Sequence, residues 1–362
     1  METKYTCRLE KIEAQLDAWL PETPDAFWIE KVFGRSSSAA DGAAGAVSPD
    51  LAASLCRPGR DLVKRGGKRW RPLLMVLSAE CVNGESGFDA ALPLTPLVEF
   101  PHNASLIHDD IEDNSDERRG KPAVHLLYGT DTAINGGAFM YFLPLACLSA
   151  GNIAPERKDL IWTIWASHMR ALHLGQAMDI AWHRDYHSLP RLDEYDRMCR
   201  LKTGCLARLA AVLGVYCSGG AFPEQNALAD VFGDAAEQLG VGFQILDDVK
   251  NLDTGIPGKK RGDDIVEGKK SLPVLLYLHR YPEKRDFASR CFAAAREKGV
   301  GAAEVEEFIG ALKGAGVLEE ARERGVGYIQ ESRRVFSAPE AAGFPLKKDG
   351  RELLGGLIDL LG

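Results

Sequence analysis

The chain has 362 residues; 45% are hydrophobic, 27% are charged and eight are cysteines. This is ordinary globular composition with enough apolar material for a large core, and the length is compatible with one large helical unit. A formal net charge of −8 argues against general nucleic-acid binding, which needs a basic surface, but it leaves room for a local cationic site.

Helical signals dominate from the N-terminus onward. "CRLEKIEAQLDAWL" spaces its apolar residues at helical intervals, and no apolar core of a signal peptide precedes it. Residues 35–50, "RSSSAADGAAGAVSPD", are small and polar and read as a flexible loop. Ser48 can cap the next helix, with Pro49 at its first position. "WRPLLMVLSAECVNG" reads as a buried helix ended by Asn83-Gly84. Helical runs follow near 88–113, 131–149, 155–180, 192–219, 224–251 and 271–280, then through the C-terminal third. The most apolar stretch, "GGAFMYFLPLACLSAG", falls short of the roughly 18 residues that span a bilayer and suits a core helix. There is no sustained two-residue alternation and no repeat of 20–50 residues. Cys7, Cys56, Cys81, Cys147, Cys199, Cys205, Cys217 and Cys291 form no CxxC pair and no zinc spacing, and read as reduced thiols of a cytoplasmic protein. The expectation is an all-α fold, one domain over 1–362, with no membrane anchor.

The chemistry concentrates in two acidic clusters. In "IHDDIED" a helix places Asp109 and Asp113 on one face, with Asp110 beside them. Downstream, "GVGFQILDDVKNLD" sets Asp247 and Asp248 behind another buried-looking run, with Gln244 one turn earlier. Either cluster could be a solvated helix end, since one exposed like-charge pair costs only about 0.2–0.5 kcal/mol. Two clusters facing each other are a different matter: each carboxylate pair at about 4 Å would repel by about 4 kcal/mol at an effective dielectric near 20. A hard divalent cation between them would relieve this, and magnesium pairs one or two carboxylates with water and phosphate oxygens. Cations accompany the acids: Arg118 and Arg119; Lys68, Arg69 and Arg71 in "RGGKRWRP"; Lys202 beside Thr203 in "LKTG"; and Lys259, Lys260, Arg261, Lys269 and Lys270 in "GKKRGDDIVEGKKSLP". Each basic patch alone suits a solvated face. Together with the acids they indicate a diphosphate bridged by magnesium.

"GGKRWRP", "HNASLIHDDIEDNSDERRG", "GQAMDI", "LKTG", "FQILDDVKNL" and "EGKKSLP" occur in the order seen in the trans-isoprenyl diphosphate synthases, which the chain resembles over roughly 60–280. Within them it is most similar to the eukaryotic-type geranylgeranyl diphosphate synthases. The resemblance implies a helical bundle around a central substrate cavity, acting as a homodimer. It implies head-to-tail condensation of isopentenyl diphosphate with dimethylallyl, geranyl or farnesyl diphosphate, using three Mg2+ ions or Mn2+ as a substitute. Asp109, Asp113 and Asp247 would bind metal, supported by Asp110 and Asp248. Arg118, Lys202 and Lys260 would contact the allylic diphosphate, with Lys269 near the third metal. Lys68, Arg71, His102 and Arg119 would hold isopentenyl diphosphate, and Thr203 and Gln244 would face the reacting carbons. Asn251 stands where the family usually has a last aspartate and is left out of the metal set; Asp263 and Asp264 offer a further anchor.

One turn below Asp109, Ala104 and Ser105 are small, which leaves room for a growing chain and favours a C20 product. Phe139, Met140, Tyr141 or Phe142 could form the floor, or could be plain packing. A farnesyl or longer-chain synthase, a class I terpene cyclase, a non-catalytic subunit and a structural helical protein are the alternatives. Two diphosphate sites and two intact DD pairs weigh against the last three.

Overall fold

The computed structural model describes residues 3–34, 47–219, 222–255, 260–338 and 340–362. Its helices are α1 (Thr3–Trp19), α2 (Ala26–Phe33), α3 (Pro49–Lys64), α4 (Trp70–Ala91), α5 (Pro96–Glu112), α6 (Val124–Tyr128), α7 (Thr130–Phe142), α8 (Pro144–Ala150) and α9 (Pro155–Arg184). They continue with α10 (Leu192–Cys199), α11 (Cys205–Cys217), α12 (Phe222–Asp253), α13 (Asp263–Glu267), α14 (Leu272–Arg280), α15 (Arg285–Lys298), α16 (Ala303–Gly314), α17 (Val317–Phe336) and α18 (Lys348–Asp359). Among the described residues, strand is confined to two minimal antiparallel hairpins, β1 (Glu117–Arg118) with β2 (Lys121–Pro122) and β3 (Glu340–Ala341) with β4 (Phe344–Pro345). With 79% helix and 2% strand, the fold is all-α as expected.

Local chemistry sets several boundaries. The Ser48 side chain accepts from the Leu51 N–H at 3.3 Å and Pro49 opens α3, so the last residues of the expected 35–50 loop are helix start; residues 35–46 lie outside the described set. Asn83 and Gly84 leave helical geometry, with Gly84 at φ 60°, but helix resumes to Ala91. The expected stop is therefore a kink, tied down by Asn83 Nδ2 donating to the Ser218 carbonyl at 2.8 Å. The apolar run is also longer than expected. Thr130–Ala150, 21 residues, is long and apolar enough to cross a membrane by length and composition, yet half of it is buried within the protein. It is broken at Leu143-Pro144 into α7 and α8.

The chain divides into two compact units. The first comprises Met1–Ala166, Val212–Asn226 and Lys347–Leu353; the second comprises Ser167–Ala211, Ala227–Leu346 and Leu354–Gly362. In the first, α7 lies against α3 and α5. A Cβ on Gly137 would sit 2.7 Å from the His108 ring, and one on Gly59 would sit 2.2 Å from Met140 Sδ, so these glycines permit the close approach. In the second, Phe292, Phe308, Phe287 and Tyr277 meet edge-to-face among α14, α15 and α16. Truncating such a buried ring to alanine costs about 3–5 kcal/mol.

Candidate active site

In the first unit the acids sit at the C-terminal turn of α5. That is the negative end of the helix dipole, the costly end for carboxylates. The Asp110 carboxylate is fully buried, and Arg118 Nε donates to its Oδ1 at 2.8 Å. Burial pushes this carboxyl up, against the pull of Arg118. Asp109 and Asp113 stay half-buried, and the Arg118 guanidinium lies 3.7 Å from Asp109.

The two adjacent arginines diverge because the β1–β2 turn bends between them. Arg119 and Gly120 both have positive φ, 54° and 74°, the pattern of a tight two-residue hairpin turn and a strained one for arginine. Arg118 goes to Asp110, while Arg119 Nη1 donates to the Leu62 carbonyl at 3.0 Å and Asn103 Oδ1 at 3.1 Å. Burial lowers the Arg119 pKa to about 10, against the upward pull of Glu99. Arg65 clamps the hairpin by donating to the Arg118 and Pro122 carbonyls at 3.0 and 2.8 Å.

Arg71 and His102 are also brought together, with Nη1 3.3 Å from Nε2. A guanidinium can only donate, so Nε2 accepts and the proton sits on Nδ1. Burial, then Arg71, Arg119, Arg69 and Arg118, push the imidazole well below its ordinary pKa, so it is neutral. Lys68 is exposed, whereas Arg69 is buried between Glu13 at 2.6 Å and Glu99 at 2.9 Å.

In the second unit, Lys202 and Thr203 lie on a π-helical turn, Arg200–Gly204. Such wide turns are frequent at functional sites because they displace side chains from the regular helix surface. The turn is tightly enclosed: a Cβ on Gly175 would stand 2.4 Å from the Lys202 nitrogen, and one on Gly240 would stand 2.7 Å from Gly204 Cα. Thr203 Oγ1 donates to Gln244 Oε1 at 2.8 Å, and Gln244 Nε2 donates to Asp248 Oδ1 at 2.8 Å. Tyr195 OH donates to the other Asp248 oxygen at 2.9 Å. Burial and then the Asp264 carboxylate raise the Asp248 pKa. Lys202 Nζ meets Asp179 at 2.6 Å, and Lys269 meets Glu267 at 2.6 Å. Lys260 is exposed; Lys259 lies outside the described residues.

Each unit therefore carries acids on a buried helix and a set of placed cations. The family profile for polyprenyl synthetases matches residues 52–309. The chain belongs to the polyprenyl synthetase family. It is 33% identical over 285 residues to a geranylgeranyl diphosphate synthase of Methanosarcina mazei, covering 77% of this chain and 82% of that one. It is 28% identical to a geranylfarnesyl diphosphate synthase of Aeropyrum pernix, covering 83% and 91%. A crystal structure of a geranylgeranyl pyrophosphate synthetase from Pyrococcus horikoshii superposes with a TM-score of 0.78 at 25% identity, covering 99% and 96%. Trans-prenyl transfer is the reaction class of a polyprenyl synthetase.

Among the described residues, no three His, Cys, Asp or Glu side chains converge as a metal cluster. The second acid of each DD pair turns inward: Asp110 to Arg118, Asp248 to Gln244 and Tyr195. Asp109, Asp113 and Asp247 remain half-buried. Single hard oxygen donors of this kind fit magnesium, which fills its other positions with water and phosphate. Asn251 is buried and used structurally: its Oδ1 accepts from the Asp264 N–H at 3.2 Å and its Nδ2 donates to the Lys260 carbonyl at 3.4 Å. Asp263 Oδ2 accepts from the Lys260 N–H at 2.6 Å. Sequence reasoning quoted "GQAMDI" and "HNASL" without assigning Asp179, the partner of Lys202, or Asn103, the partner of Arg119. Glu267, the partner of Lys269, likewise opens the motif "EGKKSLP" without an assigned role, and Tyr195 lies in none of the motifs.

The expected floor residues scatter. Met140 packs on α3, Phe139 stacks on Phe33 at 5.8 Å, Tyr141 faces His108 at 5.8 Å and Phe142 is 65% exposed. Ala104 is fully buried, and Ser105 is half-buried with its hydroxyl on the His102 carbonyl at 2.8 Å.

Proposed function

We propose that this polyprenyl synthetase condenses isopentenyl diphosphate head-to-tail with an allylic diphosphate and stops at geranylgeranyl diphosphate. The observation that carries the reading is the segregation of acids. One carboxylate of each DD pair is buried on protein hydrogen bonds, and the other stands half-buried, Asp109 with the Arg118 guanidinium 3.7 Å away.

Asp109, Asp113 and Asp247 would hold Mg2+, three ions in all with Mn2+ as a substitute, and Asp110 and Asp248 would support them. The metal supplies charge neutralisation of the departing diphosphate. Arg118, Lys202, Lys260 and Lys269 contact the same group, an electrostatic effect aimed at charge that develops in the transition state. Lys68, Arg71, His102 and Arg119 hold isopentenyl diphosphate. Its double bond attacks the allylic carbocation, and the tertiary cation so formed loses a proton from the adjacent C2 to the released diphosphate, which sets the new double bond. Thr203 and Gln244 would face the reacting carbons, the Gln244 amide donating to Asp248, whose other oxygen accepts from Tyr195. The name of the M. mazei relative and the small side chains of Ala104 and Ser105 support the C20 product.

One profile running unbroken over 52–309 draws residues from both units, which supports a single functional domain. We place the enzyme in the cytoplasm as a homodimer.

The test is an assay with labelled isopentenyl diphosphate, Mg2+ and C5, C10 or C15 allylic partners, with products resolved by length. A C20 product from any starter bears the reading out. A C15 or a C25-and-longer ladder keeps the chemistry and moves the floor. Folded protein without turnover on any starter overturns it in favour of a non-catalytic subunit.

A further inference from the structure

Lys270 is 2% exposed, an unusual environment for lysine. It belongs to "EGKKSLP", but the roles assigned above use only its neighbour Lys269. Burying an ammonium is costly unless it is compensated, and here the compensation is visible. Nζ donates to the Gly268 carbonyl at 3.0 Å and lies 4.4 Å from the centroid of the Phe292 ring and 5.9 Å from that of Tyr186. Ring faces attract a desolvated cation. Asp185 and Asp179 add a stabilising field, yet burial prevails and lowers the Lys270 pKa to about 8.

The turn that Lys270 grips is itself tightly seated. Gly268 caps α13 at φ 79°, and a Cβ there would meet the His183 carbonyl at 2.9 Å and the Tyr186 ring at 3.1 Å. Ser289 on α15 fixes Tyr186 by donating to its carbonyl at 3.1 Å. The charged and titratable groups around the turn are Asp179 and His183 on α9, Asp185 just after it, Lys202 on the π turn, and Glu267 and Lys269. Lys269 is half-buried and reaches Glu267.

We propose that Lys270 is a positioning residue for the diphosphate site: its buried ammonium pins the Gly268 carbonyl beneath Phe292 and so fixes the direction in which Lys269 leaves the chain. The proposal rests on the reading that Lys269 contacts the allylic diphosphate. A neutral amine grips the carbonyl and the ring more weakly, so the hold loosens as pH rises through about 8.

The experiment uses the full-length protein and the variants K270M and K270R. It measures kcat and KM for both substrates from pH 6.5 to 9.5, and binding of inorganic diphosphate with Mg2+ by calorimetry. K270M should raise the allylic KM roughly ten-fold, the scale of one charge-assisted hydrogen bond, with kcat and the isopentenyl diphosphate KM nearly unchanged. The wild-type allylic KM should rise above pH 8, that step should vanish in K270M, and K270R should recover most of the affinity. A wild-type KM in K270M, or an unaltered pH step, overturns the proposal. Should K270M not fold, Phe292→Leu must reproduce the KM rise, and its failure to do so overturns the proposal equally. If no starter turns over, the functional reading falls, while diphosphate binding by wild type and K270M still decides the role of Lys270.

Discussion

On α5 the Asp110 carboxylate is fully buried against Arg118, while the Asp109 side chain keeps 14% exposure. Adjacent positions on a helix point about 100° apart, so one faces the core and the other the rim. The same geometry separates Ala104 from Ser105. Ser105→Phe places a ring one turn below Asp109 at a half-buried position and should shift the main product from C20 to C15 with the fold retained. Chromatography of the products decides this, and an unchanged length refutes the helix as the wall of the chain's path. Ala104→Phe inserts the same ring where nothing is exposed. Overpacking of that kind costs about 1–3 kcal/mol, so its mark should be a lowered melting temperature rather than a clean change of product.

At the scale of elements, the π turn Arg200–Gly204 is the part most dependent on its neighbours. It is enclosed by glycines of α9 and α12, and its Lys202 and Thr203 side chains are held by Asp179 and Gln244. Gly240→Ala would drive a methyl to 2.7 Å from Gly204 Cα, so backbone must shift. The variant should lose about 1–3 kcal/mol of stability and, by displacing Lys202 and Thr203, lose more kcat than the isopentenyl diphosphate KM reveals. Equal denaturation midpoints for variant and wild type would contradict the packing. Asn251 belongs to this scale as well: its amide uses one donor and one acceptor to clasp residues 260–264, which a carboxylate, having no donor, could not do.

At the scale of the whole molecule, large apolar side chains remain outside. Leu126 and Leu127 on α6 are 55% and 49% exposed, and Ile134 and Phe142 on α7 are 49% and 65% exposed. Exposed apolar patches mark contact surfaces, and these four side chains on consecutive helices are the ones we assign to the proposed homodimer. Sedimentation at micromolar concentration should report a dimer, and Leu127→Glu together with Ile134→Glu should shift it toward monomer. A wild-type monomer at that concentration would refute the homodimer.

The sequence by itself determined the helical class, the Ser48–Pro49 helix start, the two acidic clusters and the family, because each is encoded in spacings of a few residues or in short ordered motifs. It read Asn83-Gly84 as a helix end, whereas the structure has a kink there, with Asn83 bonded to Ser218, 135 residues away. Only the tertiary structure decided which acid of each pair is buried, that His102 is a neutral acceptor, and that Lys202 and Lys269 carry carboxylate partners. It alone showed Lys270 to be sealed under an aromatic ring. These outcomes depend on desolvation and on contacts between segments far apart in the chain, such as Thr203 with Gln244, and no local periodicity records them.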